Sequence, residues 1–122
     1  MQSYAFLAAN SLRSSESIDF KLFFSFDYLG GTAGAWPASD VISILQDYGP
    51  NGAHFQYEGK PLVSTFEGTA NVNDWPGIRA AVNGGIYFVP DWTSLGASSS
   101  RFNLDLVDGA CKSSTIPIAF AC

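Results

Sequence analysis

The 122-residue sequence is poor in charged groups and in the side chains that most often bind metals or form disulfides. Lys and Arg total six against eleven Asp and Glu, giving a net charge of −5. Such an acidic chain repels phosphate backbones, so we do not expect nucleic acid as a partner. His54 is the single histidine. The two cysteines, Cys111 and Cys122, provide neither a disulfide framework nor a metal site.

Long hydrophobic runs are missing as well. No run of eighteen apolar residues occurs, so no membrane span is predicted. The N-terminal stretch lacks a basic start and a sustained apolar core, so no signal peptide is expected in this chain. The glycine-rich segment GGTAG lacks the Lys and Ser/Thr of a phosphate-binding loop, and no serine lies in a G-x-S-x-G turn.

The sequence is instead rich in apolar and aromatic residues, at 47% and 15% of the chain, which fits one globular domain. Phe20–Asp27 (FKLFFSFD) is nearly continuous in apolar residues and ends on a carboxylate, which predicts a strand covered on both faces. Two further strands are predicted at Pro61–Glu67 and Ile86–Val89. Apolar residues at helical spacing predict helices near residues 1–12, 37–48 and 75–82.

This alternation of helices and strands predicts an α/β fold with parallel strands and right-handed crossovers. The carboxyl ends of parallel strands share one edge of the sheet. Asp27, Glu67 and Asp91 are therefore expected on a common rim, which in α/β barrels carries the active site.

Carboxylates on one rim suit glycoside hydrolysis, binding of a hard metal ion, or hydrogen bonding to sugar hydroxyls. Tyr28 follows Asp27 and Trp92 follows Asp91, and a ring beside a carboxylate can stack on a sugar, which favours the sugar interpretations. The structural alternatives are that Asp27 caps a glycine-rich loop and that Glu67 and Asp91 close turns.

Four blocks of the sequence are, in chain order, FKLFFSFDYLG, WPASDVISILQDY, YEGKPLVSTFEG and GIYFVPDWTSLG. In this order they resemble glycoside hydrolase family 71, the fungal α-1,3-glucanases or mutanases. The resemblance implies a (β/α)8 barrel that hydrolyses α-1,3-glucan with inversion, outside the cell or in the cell wall, without a metal or organic cofactor. It implies a catalytic role for Asp27 and a substrate-binding role at the rim for Trp92. Tyr28, Glu67 and Asp91 are the other substrate-binding candidates.

The chain also departs from the family pattern. The W-N-D-x-G-E motif that resembles the family's catalytic pair is absent, the chain begins at what resembles the second barrel helix, and residues 106–110 (LVDGA) resemble the start of the sixth strand. We therefore expect residues 1–110 to form a partial barrel of three to four parallel strands, and residues 111–122 to be a divergent tail. Exposed sheet edges would invite association with another polypeptide.

The sequence thus predicts a partial endo-1,3-α-glucanase, a glycoside hydrolase by resemblance that is inactive as this fragment. Two alternatives stay open. One is a non-catalytic fragment that binds α-glucan, and the other is a truncated product with no independent function.

Overall fold

The computed structural model describes residues 2–30, 34–95 and 106–109. The tail predicted at residues 111–122 lies outside this part of the chain. No helix in these ranges is long and apolar enough to cross a membrane. In chain order the elements are α1 (Gln2–Ser15), β1 (Phe24–Asp27), α2 (Ala38–Tyr48), β2 (Gln56–Tyr57), β3 (Lys60–Phe66), a 3-10 turn (Thr69–Asp74), α3 (Trp75–Ala81), β4 (Tyr87–Phe88) and a second 3-10 turn (Thr93–Leu95).

Strand β3 is the centre of the sheet. It pairs in parallel with β1, from Phe24 opposite Val63 to Asp27 opposite Phe66. On its other side it pairs in parallel with β4, with Val63 opposite Phe88. Helices α2 and α3 lie between these strands in the chain, which is the connection that parallel neighbours require. The short β2 adds an antiparallel hairpin at the start of β3.

The segment 106–109 runs beside β4. The backbone N–H of Asp108 donates to the carbonyl of Phe88 at 2.9 Å, and the N–H of Phe88 donates to the Asp108 carboxylate at 2.8 Å. Arg79 of α3 also donates to that carboxylate, at 2.8 Å. The sequence predicts that residues 102–107 lead into a fourth strand; residues 102–105 lie outside the described ranges.

Strand β1 is shorter and more open than predicted. It begins at Phe24 rather than Phe20, and both Ser25 and Asp27 are exposed. Phe23, just before the strand, is 48% exposed. The prediction of a strand covered on both faces does not hold in the structure, because α2 and α3 pack on the same face of the sheet.

That covered face holds the main core. Phe26, Val63 and Phe88 point from three strands toward Val41 of α2 and Ile78 of α3. All five side chains are buried, at 3% exposure or less. Burial of each such side chain stabilises the fold by about 1.5–3 kcal/mol. A second, smaller cluster joins Phe6 and Ala9 of α1 to Ala53.

Candidate functional site

Three side chains stand side by side where the parallel strands end. Asp27 lies opposite Phe66 in the β1–β3 register, and Phe66 lies opposite Asp91 in a parallel bridge. Paired residues of neighbouring strands direct their side chains to the same face of a sheet. Asp27, Phe66 and Asp91 therefore form one row on the face opposite α2 and α3, and we call them the rim row.

Backbone hydrogen bonds hold the rim row in place. The N–H of Tyr28 donates to the carbonyl of Phe66 at 3.0 Å, and the N–H of Glu67 donates to the carbonyl of Asp91 at 2.7 Å. The row therefore stands on paired backbone rather than on free loops, which favours a fixed spacing between its side chains.

Asp27 is exposed and caps the loop that follows β1. Its Oδ1 accepts the backbone N–H groups of Leu29 at 2.9 Å and of Gly30 at 2.7 Å. A Cβ at position 30 would lie 2.2 Å from Oδ2 of Asp27, so any other residue there would displace the Asp27 carboxylate. Oδ1 of Asp27 therefore caps the loop, as the structural alternative predicts. In the ranges that the structure describes, Oδ2 receives no hydrogen bond and remains available to a ligand.

Glu67 lies at the same edge, but its carboxylate is buried, with only 6% of the residue exposed. It accepts hydrogen bonds from the backbone N–H of Ser94 at 2.8 Å and from its hydroxyl at 2.5 Å. The backbone of Glu67 is left-handed, with φ of +57°, which turns it out of the strand. Glu67 therefore ties the end of β3 to the turn after β4, and its substrate-binding role stays a prediction.

Asp91 is partly exposed and lies where β4 has ended. Its Oδ1 accepts a hydrogen bond from the Thr93 hydroxyl, two residues further on. This contact matches the turn-closing alternative, while the partial exposure leaves the carboxylate within reach of a ligand. Asp91 thus differs from Glu67, whose two oxygens both bind Ser94.

The two rings predicted to bind sugar lie in the core instead of on the rim. Tyr28 and Trp92 are each 5% exposed. The ring of Tyr28 lies 6.3 Å from that of Trp75, and Trp92 meets Phe88 edge-on at 6.2 Å. Their role in substrate binding stays a prediction, although their burial favours a packing role.

The buried rings also carry polar atoms. The Tyr28 hydroxyl and the Trp92 Nε1 have no hydrogen-bond partner among the described residues. Burial, with a smaller contribution from the charge of Asp74, raises the pKa of Tyr28 to about 12. Tyr28 therefore stays neutral throughout the physiological range of pH.

The exposed aromatic ring of the rim belongs to Phe66, which is not among the site residues predicted from the sequence. It is 46% exposed and lies between the two aspartates. The period of two along a strand places Phe66 on the face opposite Val63 and Thr65. Burial does not alternate along β3, since Leu62 and Ser64 on the face of Phe66 are buried as well, so only the position of Phe66 at the strand end leaves its ring exposed.

A separate cavity of about 670 Å³ lies at the opposite end of the strands, lined in part by Lys21, Gln46 and His54. Nδ1 of His54 contacts the Phe55 carbonyl at 2.9 Å, and burial lowers the pKa of the imidazole. No group of three or more His, Cys, Asp or Glu side chains in the described ranges could hold a metal ion.

Comparison with known proteins agrees with the sequence resemblance. The model of glycosyl hydrolase family 71 matches residues 3–115. The chain is also 37% identical over 94 residues to glucan endo-1,3-alpha-glucosidase agn1 of Schizosaccharomyces pombe. That match covers 68% of this chain and 22% of the relative, so the chain spans less than a quarter of the relative's length. No solved structure matches the chain.

Proposed function

Because the chain belongs to glycosyl hydrolase family 71, we propose that it forms part of the active-site wall of an endo-acting α-1,3-glucan hydrolase. The observation that carries the proposal is the rim row, which lies within the matched residues and presents two carboxylates at the carboxyl edge of parallel strands. The name of the S. pombe relative, an endo-1,3-alpha-glucosidase, supplies the substrate class. Such a protein would act outside the cell or in the cell wall.

The proposed architecture is one arc of a (β/α)8 barrel. In such a barrel, eight parallel strands surround a packed interior and the active site lies at their carboxyl ends. Strands β1, β3 and β4, with α2 and α3 outside them, fit that arrangement, and the rim row would face the barrel axis. Among the described residues β1 pairs with β3 alone, and its other edge would pair with a further strand, from a longer chain or from another polypeptide.

Asp27 is the residue that we propose to take part in the chemistry. Inverting hydrolysis needs one carboxylic acid to protonate the departing oxygen and one carboxylate to activate water on the opposite face of the sugar. Asp27 is exposed, and its Oδ2 receives no hydrogen bond from the described residues, so it can contact a sugar or a water molecule. The chain lacks the W-N-D-x-G-E motif, so the rest of the catalytic group would come from other strands.

A chimera tests this proposal. The segment of the S. pombe relative that aligns with this chain would be replaced by the corresponding residues of this chain. We expect the chimera to release reducing sugar from α-1,3-glucan. Asp27→Asn in the chimera should lower that rate by at least about 100-fold, the usual contribution of an acid or base. The 122-residue chain alone should release none.

The matched control is Asp47→Asn, which removes an exposed carboxylate in the last turn of α2, at the end of the helix away from the carboxyl edge of the strands. Its rate should stay within about twofold of the unaltered chimera, since surface charges far from a reaction centre contribute little. Undiminished activity of Asp27→Asn would remove Asp27 from the active site.

A second candidate function is binding of α-glucan without hydrolysis. It is favoured by one observation: the rim row pairs an exposed ring with carboxylates on a sheet that three parallel strands cannot close into a barrel. Sedimentation with insoluble α-1,3-glucan, together with the chimera, separates the two candidates. Retention of the chain in the pellet with an inactive chimera supports binding alone, whereas no retention argues against it.

A further inference from the structure

We propose that Phe66 is the stacking platform for one glucosyl unit of the α-glucan, with Asp27 and Asp91 binding hydroxyl groups on either side of it. This inference rests on the proposed function, because the substrate class comes from there. It reassigns the aromatic contact from Tyr28 and Trp92, which are buried, to a ring that is exposed.

The geometry of the rim row supports this role. Neighbouring strands lie about 4.8 Å apart, so each aspartate begins roughly one strand spacing from the base of the Phe66 side chain. A ring flanked in this way offers an apolar face to the C–H groups of a sugar and an acceptor to the hydroxyls at each edge. Asp27 is exposed and Asp91 is partly exposed, so both carboxylates are accessible.

The backbone around Phe66 gives the platform rigidity. Its carbonyl accepts the Tyr28 N–H at 3.0 Å, and its successor Glu67 binds the carbonyl of Asp91 and, through its carboxylate, Ser94. The backbone that carries the ring is therefore ordered before a sugar binds, so less of the contact energy is spent on ordering it.

Exposure alone would not distinguish Phe66 from other surface side chains, because single exposed apolar residues are common. Phe23 provides the comparison within this chain. It is the same residue type at nearly the same exposure, 48% against 46%, but it precedes β1 and has no place in the rim row. Ring exposure is therefore matched, and the flanking carboxylates are the difference.

Binding of a soluble α-1,3-linked glucooligosaccharide to the 122-residue chain, measured by calorimetry, tests the inference. Phe66→Leu keeps an apolar side chain without the ring and should weaken binding by about tenfold. Phe66→Tyr keeps the ring and Phe23→Leu leaves the rim row intact. The dissociation constants of both variants should lie within about twofold of that of the unaltered protein. Circular dichroism would confirm that each variant is folded.

Three outcomes would overturn the inference. If Phe66→Leu binds normally while Asp27→Asn binds weakly, Phe66 is not the platform, but the proposed function stands. If Phe23→Leu weakens binding as much as Phe66→Leu, the position beside the carboxylates carries no special role. If the unaltered chain does not bind the oligosaccharide, the inference fails even where the chimera is active.

Discussion

The covered face of the sheet and its open face differ in what their side chains contact. On the covered face, Phe26, Val63 and Phe88 are buried among side chains of α2 and α3. On the open face, Asp27 and Phe66 stand exposed at the ends of the same strands. At their carboxyl ends the strands thus carry stability on one side and accessible chemistry on the other, and a substitution there should act according to the side on which it falls. Further back along β3, Leu62 and Ser64 are buried although they share the face of Phe66.

The largest difference in stability is expected when a phenylalanine is replaced by alanine on the covered face and on the open face. Phe88 is fully buried and its ring stacks on Trp75 at 3.8 Å between centroids. Phe88→Ala should therefore lower the free energy of unfolding by about 3–5 kcal/mol. Phe66→Ala should change it by less than about 1 kcal/mol, because water already reaches half of that ring. Urea unfolding of both variants measures the difference, and equal losses would contradict the contrast between the faces.

An intermediate effect is expected at Glu67, where the two parallel strand ends are tied together. Glu67→Ala removes both acceptors of Ser94 and should lower the free energy of unfolding by about 1–3 kcal/mol. Ser94→Ala removes only the hydroxyl and should cost less.

The double variant Glu67→Ala, Ser94→Ala shows whether the hydrogen bonds between these two residues contribute to stability. Its loss in unfolding free energy should be smaller than the sum of the two single losses, because both changes remove the same contact. Additive losses would mean that the two side chains do not interact, and Glu67 would then again be a candidate for binding sugar.

The contrast between the faces also explains which features could be predicted from the sequence. The apolar runs predict the strands, and the helical spacing between them predicts parallel pairing. Together these local patterns predict that Asp27, Glu67 and Asp91 lie at one edge of the sheet. The orientation of each side chain depends on alternation. Tyr28 comes directly after Asp27, so it must face away from it, toward the core. Adjacency in sequence suggested a shared site, whereas pleating separates the two residues.

Other features depend on contacts that no local pattern reveals. The burial of the Glu67 carboxylate follows from Ser94, 27 residues away. The open face of β1 follows from the placement of α2 and α3 on a single side. An apolar run such as FKLFFSFD cannot show how many of its faces have a partner, because that depends on elements elsewhere in the chain.

The smallest effect is expected from Tyr28→Phe, which tests whether the Tyr28 ring serves only the covered face. Its hydroxyl is buried without a partner in the described ranges, so its removal should change the free energy of unfolding at pH 7 by less than about 1 kcal/mol. The variant should also bind α-glucan like the unaltered chain. Weaker binding would show that this hydroxyl contacts the sugar, as the sequence predicts for Tyr28.

High pH sharpens this test. The pKa of Tyr28 is raised to about 12, above its value of about 10 in an unfolded chain. Between these values the unfolded chain loses the proton first, so the stability that depends on a neutral Tyr28 is complete below pH 10 and falls as the pH rises toward 12. Tyr28→Phe has no such proton to lose. Its unfolding free energy should therefore fall less steeply over this interval, and equal slopes for the two proteins would show that the Tyr28 hydroxyl is reached by water and does not belong to the covered face.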